Sequence, residues 1–140
     1  MKGLTQIEKV MHLRRVDLFS HCSAEQIIRI AAIAGERLFG PGEEIYQSSD
    51  PSEALFCVVA GKVVLEGRAP RSVSTGETFG VHEILSDRLR SCKATASSDT
   101  VVLAIEADDF FDLLSDNIEI VKALFRDVTS ESSDGKGPYG

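Results

Sequence analysis

Apolar positions recur along the chain with two different periods, and the change of period divides it into three zones. In the first zone Ile7, Val10 and Met11 share one face of a short amphipathic helix over residues 5–16, with Leu13 off that stripe. Val16-Asp17-Leu18-Phe19 reads as a connector whose Leu18 and Phe19 dock into a core. A second helix follows. Ser23 is placed to cap the N–H of Gln26, Gln26 to reach back, and Ile27, Ile30, Ala31 and Ala34 share a face before Gly35 stops the period.

From Glu36 the spacing shortens, and turn residues punctuate brief apolar runs. Strands are predicted at Arg37–Phe39, Glu44–Tyr46, Ala54–Val59, Lys62–Glu66, Arg71–Ser74, Glu77–Phe79, Cys92–Ala96 and Val101–Ile105. The Ala60-Gly61 turn predicts a hairpin between the third and fourth of these, and Ser97-Ser98-Asp99 a second hairpin between the last two. Such a series without intervening long helices points to an antiparallel barrel or sandwich. The helical period returns with Ala107, Phe110, Phe111 and Leu114 on one stripe. Asp116 can cap a further helix carrying Ile118, Val121, Leu124, Phe125 and Val128. Phe110, Phe111 and Phe125 read as helix packing against the barrel rather than as ligand contacts.

Composition narrows this picture. A chain of 140 residues is most simply one domain, residues 1–129, followed by a Ser- and Gly-rich tail, residues 130–140, expected to be disordered or a linker. The net charge of −7 argues against general binding to nucleic acids or anionic membranes, so a site for one small anion has to be made locally. Three widely spaced cysteines, Cys22, Cys57 and Cys92, are not a disulfide framework and fit a reducing, cytoplasmic setting. The N-terminal stretch has the pattern of neither a signal peptide nor a transmembrane span.

The candidate chemistry lies in Gly76–Ala94, GETFGVHEILSDRLRSCKA. A strand ending in Phe79-Gly80, one helical turn at His82–Leu85 and a returning Arg90-Ser91 make a corner suited to an anion, with free N–H groups closed by a guanidinium. Arg88 and Lys93 read as a solvated charged loop, whereas Arg90 enters a strand that fixes its reach. Other chemistries find little support. His12, His21 and His82 are scattered, and no HxH, CxxC or HExxH pattern is present, which disfavours a metal site. No serine sits in a nucleophile elbow and no cysteine has an evident histidine partner. Asp108-Asp109 opens a helix, where carboxylates meet the macrodipole favourably.

These stretches, taken in order over roughly residues 7–128, resemble the cyclic-nucleotide-binding domain family. The family's opening appears as Val16–Ser20, its turn glycines in Phe39-Gly40-Pro41-Gly42-Glu43-Glu44-Ile45, and its Gly-Asp corner as Ser49-Asp50 with the glycine lost. Its strand pair appears as Leu55–Leu65, and its phosphate-binding cassette aligns without a gap from Phe79. The resemblance implies a mainly β fold, an antiparallel β-roll or jelly roll with flanking N- and C-terminal helices, of the catabolite-activator type but without its helix-turn-helix. It implies a ligand site at Phe79, Gly80, Val81, His82, Arg90, Ser91 and Cys92, with Arg90 pairing with a cyclic phosphate.

Two positions depart from the family pattern. Val81 stands where a glutamate binds the ribose 2′-hydroxyl, and Leu89 where a proline precedes the arginine. Valine accepts no hydrogen bond, a loss of about 1–3 kcal/mol. Glu83, two residues on and roughly 200° around a helical turn, is expected to point elsewhere.

Three functions follow as expectations. The first is a non-enzymatic regulatory module for cyclic AMP, cyclic GMP or a related phosphate ligand, needing no cofactor and contacting neither nucleic acid nor membrane interior. It would pass its state to a host protein or a second copy through the C-terminal helices. The second is a degenerate domain that binds no nucleotide and serves as an interaction or structural module. The third, a cupin-like metalloenzyme, rests on three scattered histidines.

Overall fold

The computed structural model describes residues 3–132, whose order of elements is helix, helix, eight strands interrupted by one short helix, helix, helix. Helix α1 is Gln6–Leu13 and α2 is Ala24–Ile33, joined by a tight helical turn at Asp17–Phe19. Reciprocal capping boxes start both helices: Thr5 with Glu8, and Ser23 with Gln26 as its spacing predicts. The strands are β1 Gly35–Phe39, β2 Glu44–Tyr46, β3 Ala54–Ala60, β4 Lys62–Glu66, β5 Arg71–Ser74, β6 Thr78–Phe79, β7 Lys93–Ala96 and β8 Thr100–Glu106. Helix α3, Val81–Leu85, lies between β6 and β7, and α4 (Ala107–Asp116) and α5 (Ile118–Ser132) follow β8.

The strands form two four-stranded antiparallel sheets, ordered β1-β8-β3-β6 and β2-β7-β4-β5. The fold class is therefore the β-roll with flanking helices. Both expected hairpins are corrected. β3 and β4 lie in different sheets, as do β7 and β8, so Ala60-Gly61 and Ser97-Ser98-Asp99 are corners where the chain changes sheet. Gly61 makes its corner with φ +91°, and a Cβ there would stand 2.3 Å from the Asp99 carbonyl oxygen, so the two corners are packed against each other.

Alternation along β3 explains the layering. Ala54, Phe56 and Val58 face the roll interior, where they meet Val63, Val73, Phe79, Ala94 and Val102. Leu55, Cys57 and Val59 face the other way into a second core built with Leu13, Phe19, Ile27, Ile30 and Phe110. Every residue of Ala54–Val59 is buried, which is why this run reads as uniformly apolar and conceals its period.

The helical stripes are corrected in detail. On α1 it is Leu13 that is wholly buried, while Ile7 and Met11 are exposed. On α4 the buried residues are Phe110 and Leu113, with Phe111 half exposed. On α5, Ile120 and Ala123 are buried while Ile118 and Phe125 are exposed. Of the three phenylalanines expected to pack against the roll, only Phe110 belongs to its core. The expected tail lies outside the described residues except for residues 130–132, whose backbone closes α5.

Candidate anion site

Gly80 starts the corner. It holds φ +84° and forms the N-terminal cap of α3, and its carbonyl turns back to accept from Arg90 Nη1 at 2.7 Å. A Cβ at residue 80 would lie 2.9 Å from Arg90 Nη1 and 3.3 Å from the Ala54 carbonyl oxygen. Glycine is therefore required here both by the backbone and by the close approach of the guanidinium. The backbone of Arg90 is fastened on both sides by the Ser49-Asp50 turn: its N–H donates to the Asp50 carbonyl at 2.9 Å, and its carbonyl accepts from Ser49 N–H at 2.8 Å. Ser49 adopts φ 72°, the left-handed region that favours glycine, the residue the family pattern has at this position.

The Arg90 side chain is buried and spans four partners. Beyond Gly80 it donates from Nη1 to Glu83 Oε1 at 3.1 Å and from Nη2 to the Ala54 carbonyl, and its guanidinium lies 4.2 Å from the centre of the Tyr46 ring. Its Nε–H is buried and has no hydrogen-bond partner among the described residues. Ser91 Oγ donates to Glu83 Oε2 at 2.7 Å, so both carboxylate oxygens of Glu83 are held inside the corner.

Burial pushes the Glu83 carboxyl up, but hydrogen bonds from Ser91 and Arg90 and the guanidinium's charge outweigh it and hold the group below the usual carboxylate range. Burial, with the charge of Glu83 behind it, raises the Cys92 thiol, and burial alone pushes Cys57 up to about 12. Neither thiol is an activated nucleophile.

The structure brings Gly80, Arg90 and Ser91 together and distributes the other expected site residues differently. The Phe79 ring stacks on Phe56 at 5.0 Å inside the roll, and Cys92 packs at the edge of that core. Val81 is fully buried in the opposite core, on the helix side. His82 turns to Arg88, its Nε2 lying 3.2 Å from Arg88 Nη2.

Glu83, expected to point elsewhere, is the acidic partner of Arg90. The helical offset between residues 81 and 83 holds, but Val81 takes the core-facing side of α3 and turns Glu83 toward the arginine. Sequence reasoning also missed Tyr46 and the carbonyls of Asp50 and Ala54. No local pattern marks a backbone acceptor 36 residues away.

A cleft of about 280 Å³ opens beside this corner, lined among others by Arg37, Tyr46, Asp50, Glu53, Phe56 and Arg90. Among the described residues no group of three His, Cys, Asp or Glu is placed to hold a metal ion, and no helix is long and apolar enough to cross a membrane.

Comparison with known proteins agrees with this geometry. The sequence pattern that defines the cyclic nucleotide-binding domain matches residues 36–117. The cyclic AMP receptor protein of Thermus thermophilus is 30% identical over 104 residues, 69% of this chain and 48% of that protein. A cGMP-dependent protein kinase of Caenorhabditis briggsae is 25% identical over 113 residues, 74% of this chain and 15% of the kinase. The chain spans less than half the length of these relatives.

Among solved structures, the sensor domain of the transcriptional regulator DNR from Pseudomonas aeruginosa superposes with a TM-score of 0.79 at 17% identity, covering 89% of each chain. The regulatory subunit of a cAMP-independent protein kinase A from Trypanosoma brucei gives 0.79 at 18% identity, over 86% of this chain and 44% of that one. These similarities share the roll, and the matched pattern contains the whole Gly80–Arg90 corner: the chain belongs to the cyclic nucleotide-binding domain family.

Proposed function

We propose that this domain is a regulatory sensor in which the phosphate of a cyclic nucleotide competes with Glu83 for Arg90. The observation that carries the reading is the Arg90 guanidinium: buried, lining a cleft, and with its Nε–H unpaired among the described residues. A buried donor without an acceptor costs about 1–3 kcal/mol, and a ligand oxygen reaching Nε removes that cost. Glu83 supports this reading, since its carboxylate sits on Arg90 and Ser91 where a phosphate would take its place.

Binding then exchanges one anion for another. The phosphate takes Arg90, Glu83 is released, and α3, which carries Glu83, changes position. A ligand shifts this equilibrium only by its difference in affinity for the two arrangements. The role is binding rather than catalysis, and the output passes through α4 and α5 to a host protein or a second copy. The free cysteines fit a cytoplasmic setting.

A second reading, a structural or interaction module that takes no nucleotide, draws on the same pair: Glu83 supplies Arg90 with an internal counterion, and Phe79 and Val81 are committed to the two cores. Calorimetric titration with cyclic AMP and cyclic GMP separates the two. The sensor reading expects saturable binding, roughly tenfold tighter in Glu83→Gln, where the competing charge is gone. It also expects binding to be lost in an Arg90→Lys variant whose circular dichroism shows it folded. Absence of heat in both wild type and Glu83→Gln leaves the second reading standing.

A further inference from the structure

The cleft beside Arg90 holds a second arginine. Arg37 lies on β1, paired with Val102, and its guanidinium sits 5.6 Å from the centre of the Phe56 ring. Arg90 approaches the same ring at 6.0 Å, so the two guanidinium carbons are no further apart than the sum of those distances. The two arginines differ in state. Arg90 is committed to Gly80, Glu83 and Ala54, whereas Arg37 is exposed and makes no hydrogen bond or ion pair among the described residues.

Glu53 lines the same cleft and is likewise uncommitted, its side chain exposed and without a hydrogen bond or ion pair there. A neighbouring cleft of about 300 Å³ adds Glu106 and Asp108 around Arg37 and Glu53. The cleft therefore presents a fork of N–H donors and a carboxylate acceptor along the same lining as Arg90.

We infer that Arg37 and Glu53 select a guanine base, making the ligand of this site a guanine cyclic nucleotide; the inference rests on the sensor reading. The carboxylates around Arg37 outnumber it, which disfavours a second anionic group there and favours a neutral one that both accepts and donates. Guanine offers N7 and O6 as an adjacent acceptor pair for an arginine fork, and N1–H and N2–H₂ as an adjacent donor pair for a carboxylate. Adenine places a donor beside each of its Watson–Crick and Hoogsteen acceptors and satisfies neither group bidentately. Phe56, whose ring both guanidinium groups approach, lines the same cleft.

The test is titration with cyclic GMP and cyclic AMP of the wild type, Arg37→Ala, Glu53→Gln and Arg90→Lys, each also in a Glu83→Gln background so that the internal anion does not mask binding. The expected result is a preference for cyclic GMP of about tenfold or more, abolished by Arg37→Ala and reduced by Glu53→Gln while affinity for cyclic AMP stays within about twofold. Equal affinities, or a preference for cyclic AMP, with both lost in Arg90→Lys, would overturn the guanine inference and leave the sensor standing. Failure of both nucleotides to bind in either background would overturn sensor and inference together. Arg37 and Glu53 are exposed, and a thermal melt matching wild type shows that each variant reports on the ligand.

Discussion

Gly80, Glu83 and Arg90 form a three-residue lock centred on the guanidinium, which bonds to both of the others. Replacing Gly80 with alanine forces a left-handed residue with a Cβ into the guanidinium, so Gly80→Ala should lose about 1–2 kcal/mol from the backbone alone, with a further loss from the displaced Arg90. Chemical denaturation measures it; a variant as stable as wild type would mean that the corner is not under this constraint.

Glu83 makes the lock sensitive to acid. Its carboxyl in the folded protein lies below the ordinary value, so its contribution is complete above the usual carboxylate range and is lost as pH falls through the group's own, lower value. Melting temperatures of wild type and Glu83→Gln should differ most near neutrality and converge as pH falls below the usual carboxylate range. A gap that stays constant with pH would show that Glu83 contributes no ion pair. At this scale the sequence revealed Gly80, Arg90 and Ser91 through their order and spacing. It hid Glu83, because which side of a five-residue helix faces the core is decided by tertiary packing. The same fact bears on Val81: Val81→Glu, the substitution that family resemblance invites as a repair, would bury a carboxylate among apolar side chains rather than restore a sugar contact.

Elements with a strong local signal were legible and those shared between two surroundings were not. The start of α2 was readable because its capping box is a local device, completed within three residues. The strands were readable individually, yet their partners were not, since a buried run such as Ala54–Val59 has no alternation to say which sheet it joins. For α1 the stripe of Ile7, Val10 and Met11 was misleading: one turn later Leu13 enters the core completely, while Ile7 and Met11 stay exposed. Leu13→Ala should therefore cost about 2–5 kcal/mol. Ile7→Gln should change stability by less than about 0.5 kcal/mol. Denaturant midpoints of the two variants decide the matter, and comparable losses would restore the sequence-based stripe.

On the scale of the whole molecule, two cores share one sheet, with β3 contributing alternate side chains to each. The head of that strand carries more than side chains. The Ala54 carbonyl receives Arg90, and the carbonyl immediately before it, that of Glu53, accepts the N–H of Ala107 at 2.9 Å, the first residue of α4. The Arg90 corner and α4 thus hang from adjacent peptide groups. Freeing Arg90 from Ala54 should loosen the neighbouring bond, so the Ala107 amide should exchange with deuterium faster in Arg90→Lys, while amides at the centre of β8 stay protected. Unchanged exchange at Ala107 would show the two attachments to be independent. In mechanical terms the head of β3 is a common pivot: on the sensor reading, a pull on one arm would reach the root of the other through the backbone, without any side chain having to carry it across the core.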